Sequence, residues 1–563
     1  MPNALAHLAL IAFPVVVAVL FRRLPLPRAL AWSIVAGYLL LPTRLGFNLP
    51  ALPSYDRTLA PSLAAAIMTA VVVRSPQVRR ALRAGAGHVA APSPRADGGV
   101  RARMAAGEAS GADAAAEARR PADPTVEAVR LAALRRRHPL LLGLLGLLAL
   151  SPIATFLANG ESVWRGGDLP PIPGLRPYDL GNMVLGALVP IVPFLLARRY
   201  LASPASHATL LRVLAVAGLL YSIPALVEIR LSPQINVWVY GFFPHSFAQH
   251  IREGGFRPVV FLEHGLRLGI FLAMALLAAA ALWRGAGAAP PPSAAAVLRR
   301  GGGADRATVG RWGLALLWMG GTLYLSKNLG AFVIAAAVLP IMILAGARGR
   351  LLLAGLVALT VLLYPMLRGA GLVPTALVHD LAASANPSRA ASLQFRFDNE
   401  DTMLARANLK PLAGWGGFGR SDMFDERTGE GLITPDGVWI ITIATRGWLG
   451  YIAIFGLLTL PILLLWRRRA EVAPATAGLA LVLTASLLDL LPNSGLTPVT
   501  WLLAGALAGQ AELLRGGGAP TRATADGRNE RPATRARAGR PARAPARAPL
   551  SARVGRIRAR RRA

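Results

Sequence analysis

The chain has 563 residues, 54% of them hydrophobic, with a mean hydropathy of +0.47 and a formal charge of +33. This composition excludes an ordinary soluble domain and places the chain among multi-pass membrane proteins. The absence of cysteine excludes a disulfide framework and thiolate chemistry, and no Walker-type loop, dinucleotide fingerprint or H-E-x-x-H motif supports a nucleotide-driven or zinc-dependent reaction.

A membrane-crossing helix needs about 20 largely apolar residues. In chain order, the segments that qualify or nearly so are 4–21, 29–42, 59–74, 138–158, 181–198, 208–228, 259–283, 311–327, 329–346, 350–368, 438–466, 474–491 and 496–512. Several are short, so the expectation is an all-α, polytopic membrane protein with about 12–14 transmembrane helices. The first segment has neither a basic n-region nor an A-x-A site and reads as a retained helix.

Basic loops stay in the cytoplasm. Threading the segments in order puts Arg22, Arg23 and Arg28; Arg74, Arg79 and Arg80; Arg198 and Arg199; Arg299 and Arg300; Arg348 and Arg350; and Arg467, Arg468 and Arg469 on one side. The opposite, periplasmic side receives 43–58, 159–180, 229–258, 369–437 and 492–495, with the longest loop between the tenth and eleventh spans. The expected organisation is N-terminal membrane helices in 1–74, a disordered cytoplasmic linker in 75–137, a membrane domain in 138–512 and a disordered basic tail in 513–563. Linker and tail lack apolar periodicity. An anionic inner leaflet attracts such segments by about 1 kcal/mol per nearby basic residue. No folded reader accompanies them, so no specific nucleic acid is expected.

Three outer constellations carry the chemistry. The first, 228–267, gathers Arg230, His245, His250, Arg252, Arg257, Glu263, His264 and Arg267. The last span expected there contains Glu263, His264 and Arg267, and ionisable groups inside spans normally face a wet cavity. Internal pairing of Glu263 with Arg267, one helical turn apart, is the other reading. Arg257, in G-G-F-R-P, suits a phosphate because its planar fork donates two parallel hydrogen bonds. His245 and His250 lack a carboxylate pattern, so no metal is expected.

The second is Y-L-S-K-N-L-G, 324–330, which sets Lys327 at the outer boundary, where it can meet an anionic lipid head or snorkel to the interface. The third runs from Arg396 to Gly450. Arg396, Asp398, Glu400 and Asp401 precede an expected amphipathic helix at 403–409. The stretch P-L-A-G-W-G-G-F-G then permits close backbone approach to a ligand or another segment. Asp436 is either a group at the cavity mouth or a helix N-cap, and 438–466 is long enough to divide into an interfacial turn, 438–446, and a helix from Gly447. Asp489 is an intramembrane carboxylate without an evident local partner.

With these residues in view, the chain resembles the O-antigen ligase and O-antigen polymerase superfamily of bacterial envelope glycan assembly. G-G-F-R-P-V-V-F-L-E-H-G-L is similar to the family's Arg-containing outer segment. Y-L-S-K-N-L-G-A-F is similar to its S-R-G turn, with Lys327 in place of Arg. The ligase pattern of His, a polar residue, nine residues and Gly-x-x-Gly is matched in spacing by Asp436, Gly437, Gly447 and Gly450. The resemblance covers about residues 139–512 and departs at Asp436, where a ligase carries His.

The resemblance implies a GT-C-like fold and a bacterial inner-membrane location with the site facing the periplasm. It implies a metal-independent, cofactor-free glycosyl transfer from a polyprenyl-diphosphate-linked glycan to a glycan acceptor. Other polysaccharide-assembly proteins are further implied partners. The departure at Asp436 leans toward polymerisation of exopolysaccharide or O-antigen repeats rather than ligation. Under this reading Arg257 stabilises the diphosphate and Asp436 activates the acceptor. Arg396, Glu400, Arg420, Lys327, His264, Arg230 and Trp415 contact substrate, with His264 and Glu400 as reserve bases. The reading of another class is a transporter for the same lipid-linked glycans.

Overall fold

A computed structural model of the protein describes residues 1–48, 53–87, 123–252, 254–287, 306–385 and 387–517. Each segment expected to span contains a helix: Ala4–Arg23, Leu26–Leu40, Leu59–Arg74, Pro139–Leu157, Pro177–Tyr200 with a 3₁₀ turn at Val189–Ile191, Pro204–Leu231, Gly265–Gly287, Arg306–Leu325, Leu329–Leu344, Ala347–Gly369, Val438–Arg467, Pro474–Asp489 and Pro498–Arg515. Among the described residues, seven helices are long and apolar enough to cross a bilayer, or eight if one bent pair counts as a span. The chain is therefore a multi-pass helical protein by composition and length.

The helix starts follow local chemistry. Pro139, Pro177, Pro204, Pro474 and Pro498 each occupy a first turn, where the missing N–H is not needed. Asn3, Ser203 and Thr497 cap with side-chain oxygens. The outer helix Ala4–Arg23 exposes Leu8, Ile11 and Val15, an apolar face suited to lipid. Gly265–Gly287 is almost wholly buried and packs against Pro204–Leu231, Arg306–Leu325, Leu329–Leu344 and Pro474–Asp489. Small residues allow this closeness. A Cβ on Gly218 would fall 2.3 Å from that of Ala275, and one on Gly505 would fall 2.2 Å from the Phe194 carbonyl.

The N-terminal helices join the same packed body. Tyr221 Oη donates to the Leu39 carbonyl at 3.1 Å and Tyr240 Oη to that of Leu40 at 2.6 Å. On the opposite side, the fully buried Glu512 accepts from Arg198 Nη2 at 2.5 Å, from the His138 backbone N–H at 2.8 Å and from Arg135.

Three expectations are corrected and a fourth is met. The seventh helix starts at Gly265, not 259, because Val259–His264 is held as a loop; Glu263 and His264 precede the span rather than lying in it. The linker expected to be disordered over 75–137 carries helices at Pro76–Gly87 and Pro124–Leu134, while 88–122 and the tail from 518 lie outside the described residues. The segment 369–437 contains the helices Thr375–Ala385 and Pro387–Asn408, so Arg396, Asp398, Glu400 and Asp401 lie on a helix, not before one. Finally, Val438–Arg467 breaks at Gly447, whose φ of +62° and ψ of −169° are non-helical, dividing the run where its length suggested.

Candidate functional site

A cavity of about 210 Å³ opens where the N-terminal ends of Gly265–Gly287 and Val438–Arg467 and the C-terminal end of Pro474–Asp489 meet the loops that precede and follow them. Its lining includes His245, Gln249, Glu263, His264, Arg267, Asp436, Asp489 and Asn493. Sequence-distant carboxylates, histidines and a guanidinium thus share one space.

Asp436 does not cap the helix that follows it. Gly437 is the N-cap and makes no side-chain bond, and the Val438 N–H donates to the Leu490 carbonyl at 3.1 Å. Asp436 Oδ2 instead lies 3.1 Å from Arg396 Nε, across from the helix Pro387–Asn408. Burial pushes the Asp436 carboxyl above its ordinary range, and Arg396 opposes the rise. The group is half-exposed, ionisable and paired with one cation.

Glu263 accepts an ion pair from Arg267 at 3.2 Å and one from Arg44 at 3.8 Å, so the internal pairing expected from their spacing forms. Asp489, which had no evident partner in sequence, accepts from Asn493 Nδ2 at 2.8 Å. His264 Nδ1 accepts the Leu266 backbone N–H at 3.0 Å, capping the Gly265–Gly287 helix, so its proton resides on Nε2, 3.4 Å from Gln249 Oε1. Burial, then His250 and Arg257, push the imidazole down to about 3. Its one free lone pair is occupied by the cap, which leaves it poorly placed as a base. His250 is likewise pushed down to about 4, chiefly by burial. The three rings of His245, His250 and His264 lie with centroids 4.9–6.0 Å apart, and among the described residues no cluster has the arrangement of a metal site.

Arg257 sits behind this wall, only 7% exposed and outside the cavity lining. Its N–H donates to the His250 carbonyl at 2.8 Å and its Nη2 reaches the Lys327 carbonyl at 3.5 Å. Lys327, at φ +56°, donates from Nζ to the Arg252 carbonyl at 2.8 Å. The structure therefore brings the 257 segment and the Ser-Lys-Asn turn together. It pairs Arg396, rather than Arg257, with Asp436, and sets Arg267 in the same cavity paired with Glu263.

Glu228 is the residue that sequence reasoning missed. Fully buried, it accepts the N–H groups of Ile235 at 3.0 Å and of Val259 and Val260 at 2.7 Å each, while Tyr221 Oη accepts that of Phe261 at 3.0 Å. These bonds hold Val260 at φ +54°, a conformation disfavoured for a β-branched residue. A lone Glu at the end of an apolar helix was the available signal.

The glycine-rich stretch has a different partner from the one its composition suggested. It stitches the break at Gly447. The N–H groups of Trp415 and Gly416 donate to Ala444 and Thr445 carbonyls at 2.8 and 2.9 Å, and those of Trp448 and Leu449 donate to Pro411 and Leu412 at 2.8 and 3.2 Å. Broken backbone at membrane depth needs such replacement partners. A Cβ on Gly447 would lie 2.2 Å from the Leu412 carbonyl, and one on Gly414 2.5 Å from Arg446 N.

Trp415 is correspondingly occupied, with the Arg406 guanidinium 3.6 Å and Lys410 Nζ 4.6 Å from its ring centre. Arg420 is fully buried and donates to the carbonyls of Pro173 at 2.7 Å, Glu161 at 2.9 Å and Trp415 at 3.2 Å. Both residues brace the segments around 159–175 and 406–420, and neither lines the cavity. Arg230 is exposed on the last turn of Pro204–Leu231, also outside it. Glu400 lies 3.6 Å from Arg368 and is pushed up to about 7 by burial. No protein-family model and no curated protein matches the chain.

Proposed function

We propose that the protein is a membrane glycosyltransferase of the O-antigen polymerase and ligase type, acting from a polyprenyl-diphosphate-linked glycan at the periplasmic face of a bacterial inner membrane. About 12–14 spans in a GT-C-like arrangement belong to the same reading. The observation that carries it is Asp436: released from any capping role, it lines a polar cavity and pairs with a single arginine from a separate outer helix.

In this reading Asp436 accepts the proton of the acceptor hydroxyl as that oxygen attacks the anomeric carbon. The bond to the lipid diphosphate breaks with its electron pair leaving on the phosphate oxygen. Arg396 and Arg267 supply the positive charge nearest that space, which is worth most where water is excluded. Arg257 acts as a positioning residue behind His250 and His264. The Asp at this site favours polymerisation over ligation.

One observation favours the transport reading: a discontinuous helix is a transporter device. Its backbone groups, however, are bonded by residues 411–416 of the same chain instead of being left open to a substrate.

The test is polymer formation by purified protein from lipid-linked repeat units. Asp436→Asn, isosteric and outside any cap, is expected to lower the rate by about 10²–10⁴-fold with thermal unfolding unchanged. Asp436→His is expected to restore part of it. A near-normal rate in Asp436→Asn would remove Asp436 from the chemistry.

A further inference from the structure

The residue just before the helix break, Arg446, lines a second cavity of about 390 Å³. Its walls include Pro152, Asn182, Met183, Gly186 and Phe418, and no acidic residue contributes. Among the described residues no carboxylate acts on the Arg446 guanidinium. Two walls belong to Pro139–Leu157 and Pro177–Tyr200, both apolar enough to span, and Leu150, Ile153 and Leu188 on these helices are exposed. The cavity therefore opens on a lipid-facing side of the helical body.

An arginine within a span costs about 2.5–3.5 kcal/mol on insertion scales unless water or an anion completes it. The anion present at such an opening is a lipid phosphate, and the guanidinium fork matches its oxygens. The stitched backbone on both sides of Gly447 holds Arg446 in place. Asp436 lies ten residues earlier, about 15 Å along a helix, so this cavity is separate from the proposed transfer site.

We infer that the cavity binds the headgroup phosphate of an anionic bilayer phospholipid, with Arg446 gripping the phosphate and Pro152, Met183 and Gly186 receiving the apolar part next to it. The inference goes beyond the proposed glycosyl transfer and does not depend on it.

Native mass spectrometry of the full-length protein in mild detergent provides the test, with phosphatidylglycerol and phosphatidylcholine as probes. The wild type is expected to retain phosphatidylglycerol about tenfold better. Arg446→Gln removes the charge. Gly186→Leu keeps the charge but fills the cavity, since a Cβ at Gly186 meets nothing within 4 Å. Both variants are expected to lose the preference, and Arg446→Lys to keep part of it, with thermal unfolding followed in parallel. Equal retention of the two lipids by the wild type, or an undiminished preference in both Arg446→Gln and Gly186→Leu, would overturn the inference. Tighter retention of farnesyl diphosphate than of phosphatidylglycerol, or full displacement by millimolar inorganic phosphate, would overturn the assignment to a phospholipid.

Discussion

Glu512→Gln tests whether the packed body depends on one buried charge. Glu512 is fully buried near the end of Pro498–Arg515 and gathers three segments: Arg135 after the helix Pro124–Leu134, Arg198 in the last turn of Pro177–Tyr200, and the first backbone N–H before Pro139–Leu157. One oxygen accepts Arg198 Nη2 and the His138 N–H; the other accepts Arg198 Nε at 3.2 Å and Arg135. Glutamine keeps the volume but turns one acceptor into a donor facing two guanidinium groups, which are themselves less than a tenth exposed. Removing one partner of a buried ion pair typically costs about 3–5 kcal/mol, because the remaining charge stays desolvated. Replacing all three charged residues by methionine should recover much of the loss, since apolar substitutes need no counter-ion. Thermal unfolding in detergent, followed by tryptophan fluorescence, measures both variants. A Glu512→Gln midpoint equal to the wild type would show that these charges are solvated and that the three segments are not joined through them.

Gly447→Ala should destabilise by about 3 kcal/mol or more, combining a glycine-only backbone conformation with a clash against the Leu412 carbonyl; an unchanged unfolding midpoint would mean the helix runs straight. Glu400 has its folded pKa raised from 4.5 to about 7. Its contribution to stability is therefore present below pH 4.5 and lost as pH rises through 7, an effect of about 3 kcal/mol. Glu400→Gln should flatten that fall between pH 5 and pH 8 in unfolding experiments, whereas a parallel pH profile would place Glu400 in water. The proposed orientation predicts that an impermeant thiol reagent on intact spheroplasts labels Glu426→Cys and spares Ala470→Cys. Both positions are exposed, whereas Ser421 is buried and unsuited to labelling, and the reverse pattern would invert the topology.

The helices and their starts were written locally. Apolar runs, a proline in the first turn and Ser, Thr or Asn caps act within a few residues, so Pro139, Pro204 and Pro498 could be read without knowing any contact. The break at Gly447 was legible too, because the run 438–466 exceeded one span.

What each polar side chain does was decided only by packing. Burial and hydrogen-bond partners depend on residues far away in the chain. Between the two roles open to Asp436, packing chose the cavity, because Gly437 took the cap and Arg396 arrived on a separate helix. Arg257 packs where a Cβ on residue 265 would fall 2.4 Å from its Cδ, a space that only glycine leaves open; Arg420 was consumed by loop carbonyls, and the glycine-rich stretch found its partner in the broken helix. Charge and spacing mark where an ionisable group lies along the chain; only the surrounding fold sets whether it faces water, lipid or a carbonyl that satisfies it.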